Sequence, residues 1–151
     1  MPTPDFDTAA AHRFFAADCF NKAWDLMDKP ERTPADDRLM VALTHASLYH
    51  WSQRPDCTDG HFAVGYWQVS RVYALLGNAE EAKRFGDICL SFSGKADPFL
   101  YGYAHEALAR AALVAGDGDL SATHKKEALE AAERIRKADD RNLLLNDLGT
   151  I

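Results

Sequence analysis

Residues 62–82 read FAVGYWQVSRVYALLGNAEEA, and this stretch predicts a helix, a tight turn and the start of a second helix. In its first half, large apolar side chains recur every three or four residues, which is the spacing of one helical face. This seam consists of Phe62, Tyr66, Val69, Tyr73 and Leu76. Gly77 is expected to end the first helix in a left-handed conformation, and Asn78 is expected to cap the second. The stretch therefore predicts an antiparallel helical hairpin.

Two helices are predicted before this hairpin. The first begins at a Thr3 cap followed by proline and continues to about Asp28. The second begins at a capping box that starts at Thr33, and it continues to about Ser52. The buried stripe of the second helix is expected at Leu39, Ala42, Ala46 and Tyr49. The first two helices therefore form a hairpin of their own.

Three further helices are predicted after residue 94. The fifth begins at the Asp97 cap and the sixth spans about residues 121–137. A short seventh helix after Asp139 is expected to cover the end of the stack through Leu143, Leu144, Leu145 and Leu148. No segment alternates apolar and polar residues as a strand does, so the prediction is an all-α protein of six helices plus a capping helix.

Composition narrows the classes of protein to which the chain can belong. Its 151 residues are typical of one domain, and three widely spaced cysteines predict reduced thiols in a cytoplasmic protein. A net charge of −6 argues against nucleic acid and acidic membranes as partners, since both attract basic surfaces. The longest uncharged helical stretch, residues 39–53, is too short and too polar to span a bilayer.

The hairpin resembles the tetratricopeptide repeat in four positions: Ser70, Tyr73, Gly77 and Ala82. A second copy keeps the same register at Ala109, Ala112 and Gly116, and Ser121 occupies the position equivalent to Ala82. Ala122 follows directly, which suggests one extra residue in the turn after Gly116. The two glycines are 39 residues apart, whereas the family's period is about 34.

This resemblance implies a single domain, 1–151, with antiparallel hairpins stacked as a short right-handed superhelix. Its parts are an atypical helix pair (1–57), two repeat-like hairpins (58–94 and 95–137) and a capping segment (138–151). The family implies binding of a protein or peptide on a concave face, and it implies no catalysis. The chain also looks similar to an uncharacterised bacterial family of such domains, which adds no function.

Transfer of the repeat register places Val64, Ala74 and Leu113 on the expected concave face, together with five groove residues: Trp67, Arg71, Tyr103, Glu106 and Arg110. Arg71 and Arg110 are equivalent, and two neighbouring arginines can hold a carboxylate through forked hydrogen bonds. The aromatic side chains can add stacking or cation–π contacts. In the alternative interpretation, each arginine pairs with a local acid such as Glu106 and only solvates the surface.

Histidines carry a second hypothesis, a metalloprotein or enzyme in a helical bundle that uses His45, His50, His61 or His105. The five-residue spacing of His45 and His50 turns them about 140° apart on a helix, which suits a shared metal ion poorly. The simpler interpretation is packed, hydrogen-bonded histidines. No phosphate loop, nucleophile elbow or zinc-protease motif occurs, so no cofactor, metal or catalytic residue is expected.

Three functions remain open from the sequence. The first is an interaction module for a protein or peptide, and the second is the histidine-based metalloprotein or enzyme. The third is a structural domain that acts by homodimerisation, since a short stack exposes an end unless the seventh helix covers it.

Overall fold

The computed structural model describes residues 2–151 and contains seven helices and no strand in that range. The helices are α1 (Thr8–Met27), α2 (Pro34–Ser52), α3 (Asp59–Leu75), α4 (Ala79–Phe92), α5 (Pro98–Val114), α6 (Gly118–Arg134) and α7 (Ala138–Leu148). The prediction of an all-α chain with six helices and a short C-terminal helix is confirmed. None of the helices within residues 2–151 combines the length and apolar character that crossing a bilayer requires.

Several helix ends follow the local signals in the sequence. The Thr33 side chain accepts a hydrogen bond from the Asp36 amide, and the Asp36 side chain accepts one from the Thr33 amide. Gly77 and Gly116 adopt φ angles of 74° and 79°, which side chains with a Cβ rarely adopt. These capping and turn contacts join residues that are close in the sequence, so they could be predicted from it.

The predicted starts of α1 and α6 are wrong. The first helix begins at Thr8, because the Asp7 side chain accepts from the Ala10 amide and directly precedes a run of alanines. The sixth helix begins at Gly118, where Asp117 is the capping residue. An aspartate caps each helix, so α1 begins later than the Thr3 signal predicts and α6 begins earlier than the predicted start at about residue 121.

The two central hairpins repeat with a strict 39-residue offset. Helices α3 and α5 begin 39 residues apart, as do α4 and α6. In the first hairpin the Ser70 hydroxyl donates to the Ala82 carbonyl at 2.7 Å, and in the second the Ser121 hydroxyl donates to the Ala109 carbonyl at 2.9 Å. Because Ser121 is buried at the place equivalent to Ala82, the extra turn residue suggested by Ala122 is absent.

The buried stripe of α2 differs from the predicted one. Leu39 and Tyr49 are exposed, and the buried positions are Met40, Thr44, Ser47 and Leu48. Two of these are polar: Thr44 donates to the Gln68 side chain at 2.9 Å, and Ser47 donates to the Ala16 carbonyl at 2.7 Å. The prediction followed apolar residues only, and it missed polar residues that find hydrogen-bond partners across the helix interface.

Consecutive helices pack against each other, and α1, α3, α5 and α7 also meet in that order. The largest core cluster lies between α3, α4, α5, α6 and α7, and Leu144 and Leu148 bring α7 into it. Leu143 and Leu145 are exposed, so only two of the four leucines that were predicted to be buried, Leu144 and Leu148, are buried. The face shared by these four odd-numbered helices contains the candidate site.

Candidate functional site

A hollow of about 350 Å³ lies where α1, α3, α5 and α7 meet. We call it the central cavity. Trp24 comes from α1, Trp67 from α3, Phe99 and Tyr103 from α5, and Leu143 and Asp147 from α7. A volume of this size, with mainly apolar walls, is typical of sites for small molecules or single side chains.

Aromatic rings form one continuous wall of the central cavity. The ring centroids of Trp24 and Trp67 are 5.6 Å apart, and Trp67 meets Tyr103 edge to face at 5.4 Å. Phe99 contacts Tyr103 at 5.0 Å, also edge to face. Such pairs favour defined orientations and add to the stability provided by burial alone. The wall is therefore held in place before any ligand arrives.

A charged network lies directly beneath this wall, centred on the fully buried Glu106. The Trp67 indole donates to one carboxylate oxygen at 2.8 Å, and the Arg71 guanidinium donates to the other at 2.8 Å. The Nε atom of Arg110, one turn along α5, also donates to Glu106. One buried carboxylate thus binds two arginines and an indole, and this fixes α3 against α5.

The last helix completes the network from the other side. The Tyr103 hydroxyl donates to the Asp147 carboxylate at 2.8 Å, and Arg110 donates to the Asp147 backbone carbonyl at 2.7 Å. Burial raises the pKa of Tyr103, and its hydrogen bond to Asp147 adds to the effect. Burial lowers the pKa of Arg71, while the nearby Glu106 charge opposes that change.

The five groove residues predicted from the register come together, but in two different settings. Trp67 and Tyr103 line the central cavity, and Glu106 lies beneath it as the shared partner of both arginines. Arg71 and Arg110 also line a smaller hollow of about 100 Å³, together with Ala74, Leu75, Leu113 and Val114. We call this second space the arginine hollow.

A third hollow of about 180 Å³ opens beside the start of α3. Its walls come from Phe20, Asn21 and Ala17 of α1, Trp51 of α2, and His61, Val64 and Gly65 of α3. We call it the Trp51 hollow. Val64 borders both it and the central cavity, so the two spaces are neighbours.

Sequence reasoning did not place Trp24, Leu143 or Asp147 at the central cavity. Trp24 lies beside the buried stripe of α1, so its spacing alone did not distinguish it from an ordinary core residue. Leu143 was expected to be covered, and Asp147 carries no motif. Only the placement of α7 against α5 brings the last two residues to the cavity.

The four histidines of the metal hypothesis lie in four separate environments. His45 contacts the Tyr73 hydroxyl at 3.3 Å, His50 contacts His12 at 2.8 Å, and His105 contacts His124 at 2.9 Å. His61 stacks on Trp51 with ring centroids 4.2 Å apart. Within residues 2–151, no three histidine, cysteine, aspartate or glutamate side chains are grouped so as to hold a metal ion.

The two histidine pairs join helices, with His12–His50 between α1 and α2 and His105–His124 between α5 and α6. Burial lowers the pKa of His50, His105 and His124, and the partner histidine adds to this effect for His50 and His105. The buried Nε2 atom of His105 has no hydrogen-bond partner among the described residues, so a second proton there would find no acceptor.

Stability is therefore expected to fall at mildly acid pH. A histidine with a lowered folded-state pKa stays neutral in the folded protein while its unfolded form takes up a proton below about pH 6.5. The stability that it contributes is therefore complete above about pH 6.5 and is lost as the pH falls from there through the lower folded-state pKa. Urea unfolding between about pH 7.5 and 5.5 should reveal this loss, and His124→Gln should make the dependence weaker. An equal pH dependence in both proteins would contradict this role of the pair.

Comparison of the chain with protein-family models, with curated proteins and with solved structures finds no significant match. Function is therefore inferred from the geometry of the chain itself.

Proposed function

We propose that this protein is an interaction module that binds a segment of a partner protein along one face of α3. The observation that carries the proposal is that the three hollows follow each other along that face. The α3 residues that border them are His61, Val64, Gly65, Trp67, Arg71, Ala74 and Leu75, with Ala63 beside them. Their spacing keeps them near one side of the helix over 15 residues, from His61 to Leu75, a length of about 21 Å.

A row of this length suits a peptide better than a single small molecule. The central cavity can receive one large apolar side chain, and the hollows at either end can receive smaller ones. Peptides that bind in grooves use such apolar anchors at regular intervals, and main-chain or rim contacts add specificity. We assign no catalytic step to the face.

A tetratricopeptide-like superhelix is the architecture we propose for this face. Support comes from the 39-residue repeat of the two central hairpins, the left-handed glycines at both turns, and the side-by-side order of α1, α3, α5 and α7. The first helix of each hairpin would then line the concave side, where the hollows lie. A net charge of −6 favours a partner segment that is neutral or basic over nucleic acid or an acidic membrane.

Selection from a displayed library of random twelve-residue peptides tests the proposal. Val64 is 39% exposed and borders two hollows, so a charged side chain there should obstruct the face without disturbing the core. Val64→Glu is expected to weaken selected peptides roughly tenfold or more, because a carboxylate would be buried against apolar anchors. Calorimetric titration of each peptide measures the change.

Leu129→Glu is the matched control. Leu129 on α6 is 40% exposed and borders none of the three hollows, so the same change of side chain should leave peptide affinity unaltered. Equal affinity in the Val64 variant and the unmodified chain would reject the α3 face as the binding site. Failure to select any peptide would count against the proposed function as a whole.

Homodimerisation is a second candidate, favoured by an aromatic surface on α1 and α2. Phe14 and Tyr49 are 61% and 58% exposed, and Phe15 is partly exposed beside His50. Exposed aromatic groups of this kind are a common feature of protein interfaces. Mass measurement by light scattering over a range of concentrations tests the candidate, and a constant monomer mass would reject it.

A further inference from the structure

One residue with a charged side chain borders the central cavity, Asp147. The Tyr103 hydroxyl donates a hydrogen bond to the Oδ2 atom of Asp147. No other side chain among residues 2–151 donates to this carboxylate. The rest of the lining consists of aromatic, aliphatic and cysteine side chains. A ligand in this cavity would therefore meet apolar walls and one acidic side chain.

No positive side chain among residues 2–151 lies within 4.0 Å of that carboxylate. Arg110 reaches the backbone carbonyl of Asp147, and its Nε atom is paired with Glu106. Arg71 is likewise paired with Glu106. Glu106 is thus the close negative partner of both arginines, and the Asp147 carboxylate, the second negative charge of this group, has no guanidinium or ammonium partner at close range among the described residues.

The aromatic wall suits a cation as well as an apolar group. Trp24, Trp67 and Tyr103 lie in contact around the cavity, and the faces of such rings attract ammonium groups. Indole rings provide the strongest attraction of this kind. The same wall would contact an alkyl or aryl body through burial of its surface.

We propose that the central cavity binds a positively charged amine carried on an apolar body, with the ammonium group at Asp147 and the apolar body against the tryptophans. The inference rests on the proposed function in using the same cavity, and it specifies the anchor as a cationic amphiphilic group such as a lysine-like or arylalkyl amine. Two arginines and two carboxylates balance in the network, so an arriving cation meets no net positive charge at its site.

Three probes with the same phenylbutyl body distinguish a positive, a neutral and a negative end group: 4-phenylbutylamine, 4-phenylbutanol and 4-phenylbutanoate. Calorimetric titration at pH 7 is expected to give at least about tenfold tighter binding of the amine than of the alcohol, as a charged hydrogen bond contributes. The carboxylate should bind weakest, because Asp147 repels it. This comparison uses the unmodified chain, so it depends on no variant that has to fold.

The second experiment uses Asp147→Asn, which removes the negative charge but keeps an amide oxygen that can accept a hydrogen bond from Tyr103. This change should abolish the advantage of the amine and leave alcohol binding unaltered. Asp139→Asn is the matched control, because Asp139 lies in the first turn of α7, is exposed, and borders none of the three hollows. It removes the same charge from the same helix and should leave the preference intact.

The outcomes distinguish this inference from the proposed function. Equal binding of amine and alcohol, tightest binding of the carboxylate, or no binding of any probe would overturn the inference. The selected peptides could lack a basic anchor and still bind more weakly to Val64→Glu. That result would support the proposed function and contradict the cationic anchor. Amine binding that depends on Asp147, with no peptide selected, would support the amine site and contradict the peptide function.

Discussion

Replacing Glu106 by glutamine is expected to lower the free energy of unfolding by about 3–5 kcal/mol. Glu106 is fully buried and its carboxylate is the close counter-ion of both Arg71 and Arg110, whose side chains are 16% and 13% exposed. Glutamine keeps the shape but removes the charge, so two largely buried guanidinium groups lose their compensation. Urea unfolding followed by far-ultraviolet circular dichroism measures the change.

Glu130→Gln is the matched control for this prediction. Glu130 lies on α6, its side chain is 58% exposed, and its carboxylate is 3.9 Å from the Lys126 ammonium. An exposed pair of this kind contributes about 0–1 kcal/mol. A Glu106 variant that loses no more stability than the Glu130 variant would show that the buried network does not stabilise the fold. Adding Arg71→Met to the Glu106 variant should recover part of the loss, because it removes one uncompensated charge.

Leu144→Ala is the second large effect, with an expected loss of about 2–5 kcal/mol. Leu144 is 0% exposed, and its side chain fills the space above Gly102 and Ala131. Alanine would leave a cavity between α5, α6 and α7 that the glycine on α5 cannot fill. The midpoint of urea unfolding should fall accordingly, without a change in helical content under native conditions.

Leu143→Ala removes the same atoms from the neighbouring, 53% exposed position and is expected to change stability by no more than about 0.5 kcal/mol. The pair of variants therefore separates the anchoring of α7 from its exposed side. Similar losses in both variants would contradict the assigned orientation of α7. The comparison also bears on the site, because α7 carries Asp147 to the central cavity.

Repeat register predicted the right neighbours in the site but not their environment. Trp67 and Arg71 of α3 were placed beside Glu106 and Arg110 of α5, and hydrogen bonds join them as that transfer implies. The same transfer described the arginines as free to hold a carboxylate from a ligand. Glu106 already occupies them, so the predicted alternative of pairing with a local acid describes these contacts, although the pair is buried rather than solvated.

Buried polar residues explain the main error in the predicted fold, the buried stripe of α2. On α2 the spacing of apolar residues pointed to Leu39 and Tyr49, whereas Thr44 and Ser47 are buried instead. A threonine or serine has the same spacing whether it faces water or a partner from another helix. Its burial depends on an acceptor such as Gln68 or the Ala16 carbonyl, which the local pattern cannot supply.

The sequence by itself determined where most helices start and stop, since caps and turn glycines act over three or four residues of chain. It also determined the 39-residue equivalence of the two central hairpins. Only the tertiary structure decided that Glu106 is buried between two arginines and that Asp147 faces the central cavity. Both outcomes depend on contacts between helices far apart in sequence: the packing of α3 on α5 buries Glu106 against Arg71, and the packing of α7 on α5 and α6, through Leu144 and Leu148, brings Asp147 to the cavity.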